Sequence, residues 1–236
     1  MTTLRTVLVT GSSRGIGRAI CERLWGQGHT VVGLARHPEI ENSPKNYRPL
    51  PMDLSCLEAI DVGLRKMLAE YPMLDAVVSN AGAPAFGNLE EIAHRQIESS
   101  IALNLTSHML VTRTIVPFLK RHKQSDLILM GSEAALRGGK YGSVYCAAKF
   151  GLRGFAQSLR QECASSGVRV TLIHPGMVRT SFFKELDFEP GESDDQAIFA
   201  DDVAQVVEMV LGIRSGTVMD EISLSPLKKV IHFKDR

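Results

Sequence analysis

Thr6-Val7-Leu8-Val9-Thr10-Gly11-Ser12-Ser13-Arg14-Gly15-Ile16-Gly17 is the stretch that decides the fold of this chain. The run TVLVT has no polar alternation, so it reads as a strand covered on both faces. The glycines after it permit positive φ and let main chain approach a ligand closely. Residues 14–27 then carry a helical pattern that stops at Gly28. A helix N-terminus offers unpaired N–H groups and a positive dipole end, which suit a pyrophosphate. The spacing is G-x-x-x-G-x-G rather than G-x-G-x-x-G. Two other readings stand beside it. One is a tight turn with no ligand. The other takes Gly11 to Gly15 as G-x-S-x-G, which makes Ser13 the nucleophile of an α/β-hydrolase. Only ten residues precede Gly11, however, and the elbow's oxyanion hole needs a loop after an earlier strand. Ser13 would also need a histidine and an acid. His174 is the only strand-end histidine, and no sequence neighbour marks its acid.

Working outward, residues 30–35 (TVVGLA), 75–79, 126–130 and 168–174 are further short apolar runs. They alternate with helical stretches, among them residues 93–120, read as one long helix, and 142–164. Strands alternating with helices imply a doubly wound α/β fold, a parallel sheet with helices on both faces. A length of 236 residues allows one or two domains, and with no linker or repeat one domain over 1–236 suffices. Hydrophobic residues at 44% and charged residues at 22% exclude disorder and collagen-like repeats. Lys+Arg 27 against Asp+Glu 26 leaves a net charge of +1, which draws the chain to neither nucleic acid nor membrane.

No apolar run approaches the ~18 residues of a membrane span. The N-terminal residues lack a signal-peptide pattern, so a cytoplasmic protein is expected. Cys21, Cys56, Cys146 and Cys163 form no C-x-x-C pair and read as buried, reduced thiols. The seven histidines show no H-E-x-x-H, so no metal is expected. Two segments break the rhythm. Residues 181–200 are acidic and carry Phe182, Phe183, Phe188 and Phe199, which reads as a mobile substrate lid at a strand's carboxyl end. Residues 226–236 are basic and read as a solvated end.

Tyr145-Cys146-Ala147-Ala148-Lys149 places a phenol and an ammonium at i and i+4 on one helix face. An ammonium beside a phenol favours tyrosinate, so a lowered pKa is expected for a group that exchanges a proton near neutral pH. The helix also carries Val144, Phe150, Leu152, Phe155, Ala156 and Leu159, more than one narrow stripe, so a second subunit is expected against it. The second strand ends at Arg36 with no acid, and Arg14 lies in the glycine loop. Two arginines suit a ribose 2′-phosphate, which favours NADP over NAD.

Together, the glycine loop and the Tyr-Lys pair resemble the short-chain dehydrogenase/reductase family. The likeness runs from Thr6 to about Leu224 through T-G-x-x-x-G-x-G at Thr10 to Gly17, Asp53-Leu54, Asn80-Ala81-Gly82, Asn104, Ser132, Tyr145 with Lys149, and Pro175-Gly176. It implies a Rossmann-type domain and hydride transfer between NADP and a small carbonyl or alcohol substrate. By this likeness Gly11, Ser12, Ser13, Arg14, Gly15, Ile16 and Gly17 hold the cofactor with Arg36. Asp53 and Leu54 lie at its adenine, and Asn80, Ala81 and Gly82 at the ribose. Pro175, Gly176, Val178 and Thr180 lie at the nicotinamide carboxamide. Tyr145 is the implied general acid/base, with Lys149 also on the nicotinamide ribose. Ser132 holds the substrate oxygen, and Asn104 binds a water that links Lys149 to solvent.

Asp53 has a second reading as a cap for a helix starting near Ser55. The likeness has departures. Ser79 stands where an asparagine is common, and Gly131-Ser132-Glu133 replaces a common Ser-Ser pair. Glu133 is left facing substrate or solvent. The C-terminal Asp220-Glu221-Ile222-Ser223-Leu224 replaces a V-D-G-G ending frequent in tetramers, so homodimer and homotetramer both stay open. A protein that binds NADP without turnover is the alternative, and all four catalytic positions being filled speaks against it.

Overall fold

A computed structural model describes residues 4–234. Seven strands form one parallel sheet: β1 (Thr6–Thr10), β2 (Thr30–Ala35), β3 (Tyr47–Pro51), β4 (Leu74–Ser79), β5 (Ser125–Met130), β6 (Val168–Pro175) and β8 (Glu221–Leu224). Their spatial order is β3-β2-β1-β4-β5-β6-β8. The chain therefore winds outward from β1 in one direction and from β4 in the other. The crevice at the carboxyl ends of β1 and β4 is the switch point where such sheets take ligands.

The apolar runs are continuous because both faces are covered. Leu8, Val77, Leu127 and Leu129 point into a core shared with α2 (Leu57–Glu70), α4 (Ser107–Leu119) and α5 (Ser143–Cys163). Val7, Val9, Ala76, Val78, Ile128 and Met130 point the other way, against α1 (Gly15–Gly26) and α6 (Ala200–Gly212). Successive side chains of a strand alternate in direction, so a strand between two helical layers needs apolar residues at every position. Each fully buried leucine or isoleucine contributes on the order of 1.5–3 kcal/mol. The edge strand β3, with sequence YRPLP, has no apolar run to announce it; its prolines are tolerated because an edge strand leaves N–H positions unpaired.

At the amino end of the sheet Arg5 bonds Asp75 (2.6 Å) and Asp126 (3.0 Å), and Arg169 bonds the other Asp126 oxygen (2.8 Å). These charges, buried except for the partly exposed Asp75, are mutually paired and lie at the end of the strands away from the switch point.

Four expectations are corrected. The stretch 93–120 is not one α-helix: α3 (His94–Ile101) passes through a π-helical turn (Ala102–Thr106) into α4. Cys21, Cys146 and Cys163 are buried, but Cys56 is exposed at the cap of α2. Asp53 does not cap α2, which starts at Leu57; its carboxylate accepts from the Ser55 N–H (2.9 Å) and hydroxyl (2.7 Å) in the preceding turn. The basic end is not free in solvent. Its strand β9 (Ile231–Phe233) pairs antiparallel with β7 (Phe188–Pro190) of the acidic segment. Lys228 bonds Asp195 (2.7 Å), Lys229 bonds Glu133, and Lys234 reaches the Phe183 carbonyl (2.6 Å). Opposite charges in the two segments find each other once the fold brings them together. Among the described residues no helix is long and apolar enough to cross a membrane.

Candidate active site

The site forms where the loops after β1, β4, β5 and β6 meet. The glycine loop hangs from β2: the N–H groups of Gly11 and Ser12 donate to the Leu34 carbonyl (2.8 and 3.3 Å). Gly11 takes φ +70°, a left-handed conformation that a side chain would strain. A Cβ on Gly17 would overlap the Gly11 carbonyl oxygen and come within 2.7 Å of Asn80 Nδ2, so loop and helix touch only because Gly17 is bare. The Thr10 hydroxyl accepts from the N–H groups of Asn80 and Ala81 (both 2.9 Å), and Asn80 Nδ2 donates to the Thr10 carbonyl (3.0 Å). Thr180 lies against Gly15 from the far side of the crevice, and Val178 bridges Ile198.

Not every residue of the loop is presented. Ser12 is fully buried beside the Tyr47 hydroxyl (3.4 Å), with its N–H on the Leu34 carbonyl. Leu54 is buried in the core, while Ser13 and Ile16 are half-exposed. Arg14 and Arg36 are exposed at the start of α1 and the end of β2. The Ser55 bonds hold the Asp53 carboxyl below its ordinary range, and the positive charge of Arg36 adds to this.

Asn104, Ser132, Tyr145 and Lys149 converge from different elements. Asn104 sits in the π-helical turn, a distortion that often accompanies functional residues. Its Oδ1 accepts from the Ala83 N–H (3.1 Å) and its Nδ2 donates to the Ala83 carbonyl (3.0 Å). Asn104 Oδ1 and Lys149 Nζ both face the bare α-carbon of Gly82, where a Cβ would lie 2.8 and 3.9 Å from them. Lys149 Nζ donates to the Met130 carbonyl at the end of β5 (2.9 Å). Ser132 follows β5, accepts the Ala134 N–H on its hydroxyl (3.2 Å) and lies beside the Tyr145 phenol.

The electrostatics correct one expectation. Burial raises the Tyr145 pKa to about 12, and the neighbouring Ser132 hydroxyl only partly opposes this. The lysine sits 5.8 Å from the centre of the Tyr145 ring and is turned to Met130 rather than to the phenolic oxygen. Lys149 itself is pushed down to about 8 by burial. In this form the phenol therefore holds its proton at neutral pH.

Aromatic rings close the site. Phe86 packs on Tyr145 (5.1 Å between centres), as does Phe182 (5.9 Å), while Phe188 touches Phe86 (5.3 Å) and Phe183 (5.9 Å). Tyr145 is left 7% exposed. Glu133 turns to Lys229 of the tail.

Two groups here were not singled out in the sequence. His108 of α4 is fully enclosed, with Nδ1 2.7 Å from the Ser79 hydroxyl and Nε2 without a hydrogen bond. Burial and the Lys149 charge push its pKa down to about 3. Glu221 is the acid of His174, which no local spacing could reveal because 47 residues separate them. This pair faces the Ser132 carbonyl (3.1 Å), not Ser13, so the hydrolase reading loses its histidine. Among the described residues no cluster of metal-ligating side chains occurs.

The short chain dehydrogenase family model matches residues 5–190. The chain is 32% identical over 197 residues to the 3-oxoacyl-(acyl-carrier-protein) reductase of Escherichia coli, covering 81% of this chain and 78% of that protein. A closed form of serine dehydrogenase complexed with NADP+ superposes with a TM-score of 0.83 at 27% identity, covering 94% of this chain and 95% of the other. The fold alone is shared with an alcohol dehydrogenase from Thermococcus sibiricus complexed with 5-hydroxy-NADP, at a TM-score of 0.86 and 24% identity, covering 97% and 99%. With its switch-point crevice, its glycine loop and this match over most of its length, the chain belongs to the short-chain dehydrogenase/reductase family of oxidoreductases.

Proposed function

We propose that the protein is an NADP-dependent carbonyl reductase or alcohol dehydrogenase in which Tyr145 exchanges a proton with the substrate oxygen. The observation that carries this reading is the convergence of Ser132, Tyr145 and Lys149 beside Asn80–Gly82 at the switch point. The crevice fits a dinucleotide. Gly11 and Gly15 take the positive φ that the loop turn needs, and Arg14 and Arg36 supply charge where β2 ends. Gly11, Ser12, Ser13, Arg14, Gly15, Ile16, Gly17, Asp53 and Leu54 would hold its adenine and phosphate side. Asn80, Ala81, Gly82, Lys149, Pro175, Gly176, Val178 and Thr180 would hold its nicotinamide side. When bound, NADP supplies or accepts the hydride.

The remaining chemistry belongs to the side chains. In reduction the Tyr145 hydroxyl donates its proton to the developing alkoxide, a role suited to a phenol that stays protonated at neutral pH. Ser132 has its oxygen occupied by the Ala134 N–H, which leaves the hydroxyl hydrogen to bond the substrate oxygen. Lys149 supplies a buried positive charge 5.8 Å from the centre of the Tyr145 ring. Asn104, anchored on Ala83, faces the same gap as Lys149, consistent with a water between them and solvent. The rings of Phe86, Phe182 and Phe188 exclude bulk water and favour a carbonyl compound with an apolar or aromatic flank. The NADP+ bound to the serine dehydrogenase supports the cofactor choice. The exposed faces of Phe150 on α5 and Met109 on α4 support a homodimer, which sedimentation would test.

Tyr145→Phe tests the reading. With NADPH and a panel of aldehydes and ketones led by 4-nitrobenzaldehyde, wild type is expected to oxidise NADPH. The variant is expected to lose at least about 100-fold in kcat while quenching NADPH fluorescence with unchanged affinity. Retained turnover would move the proton transfer to another group.

A further inference from the structure

The residue before Ser132 is the bare Gly131, and the fold supplies a physical reason. His174, at the carboxyl end of β6, is fully buried with its ring against Gly131. A Cβ at position 131 would lie 2.7 Å from His174 Nδ1 and 3.1 Å from its Cε1. The ring occupies the room that a serine side chain would take.

Its two nitrogens face two acceptors, and burial lowers its pKa, so near neutral pH the ring carries one proton to donate. Nδ1 is 3.1 Å from the Ser132 carbonyl oxygen, and Nε2 is 3.3 Å from Glu221 Oε2. The carboxylate is itself anchored. Arg153 Nε donates to both its oxygens (3.2 and 3.0 Å) and Gln157 Nε2 to one (2.7 Å), both from α5. A chain of contacts thus runs from α5 through β8 and β6 to Ser132. It approaches Ser132 from behind, while the hydroxyl points toward Tyr145. The Ser132 carbonyl also accepts the Ala135 N–H (2.9 Å), and the hydroxyl accepts the Ala134 N–H. The Ser132 carbonyl oxygen therefore has a close nitrogen neighbour on two sides.

We propose that His174 is a positioning residue for the reaction: in its Nδ1–H tautomer it donates to the Ser132 carbonyl and thereby fixes the Ser132 hydroxyl beside Tyr145. The ring never touches substrate. This inference rests on the assignment of Ser132 to the substrate oxygen. Displacing a catalytic group by about 1 Å costs on the order of 100-fold, so loss of this bond appears in kcat rather than in cofactor binding.

The test uses isosteres. The amide nitrogen of asparagine falls where Nδ1 lies, and that of glutamine falls nearer Nε2. His174→Asn therefore keeps the bond to Ser132 and gives up Glu221, His174→Gln does the reverse, and His174→Leu removes both. Reduction of 4-nitrobenzaldehyde by NADPH is measured with NADPH affinity by fluorescence. The expected result is a loss of about 10- to 100-fold in kcat for Leu and Gln, recovery to within about threefold for Asn, and unchanged NADPH affinity for all three. Gln performing as well as Asn, or Asn performing as poorly as Leu, overturns the proposal. If the Leu variant fails to fold, the Asn and Gln pair decides alone.

In the wild-type protein, 15N spectra of labelled histidine, assigned by His174→Asn, are expected to show a proton on Nδ1. An unprotonated Nδ1 overturns the proposal without any kinetic measurement. Ser132→Ala separates the two levels of argument. Full turnover in that variant removes the function assigned to Ser132 and this inference with it. An inactive Ser132→Ala beside a fully active His174→Leu removes the role of His174 only.

Discussion

Acid should weaken this protein through His108, and the size of the effect follows from its surroundings. The ring is enclosed between Ser79 and the Lys149 region; burial and the lysine charge together hold its pKa at about 3. In the unfolded chain it titrates at its ordinary value near 6.5. The folded pKa is depressed, so the stability it contributes is present above about pH 6.5 and is lost as pH falls toward about 3. Between about pH 7 and about pH 4.5 the unfolded chain gains a proton that the folded protein refuses, which removes about 2.5 kcal/mol. Carboxylates also contribute to acid unfolding, so the measurement needs a reference. His108→Asn keeps a polar atom near Nδ1 for Ser79 but does not titrate. Urea unfolding of both proteins at the two pH values, followed by Trp25 fluorescence, gives a double difference. The variant should lose about 2.5 kcal/mol less than wild type. Equal losses, within about 0.5 kcal/mol, would refute the claim that His108 is held neutral.

The other predictions concern the site and its frame. Burial brings Lys149 down to about 8, so kcat/KM for reduction should fall as pH rises through about 8, and a flat profile to about pH 9.5 would show that its charge is dispensable. Arg36→Asp should weaken NADPH at least about tenfold while leaving NADH unchanged or improved, and equal losses for both cofactors would remove the 2′-phosphate argument. Gly131→Ala should destabilise the protein by about 1–3 kcal/mol in denaturant titration, because the new methyl meets the buried His174 ring. Lys229→Ala breaks an exposed pair with Glu133; thermal unfolding should shift by less than about 1 kcal/mol, while proteolysis within residues 181–200 should quicken if the tail secures that segment.

The parallel sheet was legible because its strands are buried on both faces. Runs such as Val7-Leu8-Val9 and Leu127-Ile128-Leu129 have no polar position to obscure them. Strand β3 was not legible, since an edge strand with two prolines has no such run. Nor was β7 or β9, three-residue strands that exist only because two distant segments of opposite charge meet. The π-helical turn at Asn104 was hidden inside a stretch whose composition is simply helical.

The chemistry divides the same way. Local order along the chain determined the glycine loop and the Tyr145–Lys149 pair, because a turn and a helix face are set by near neighbours. The tertiary structure decided the environment of those groups. Depth of burial holds the Tyr145 proton in place despite the lysine one turn away. The turn of Lys149 to Met130 decides where its charge falls. The partners of Glu133 and His174 lie 96 and 47 residues away, and only the folded chain brings them into contact.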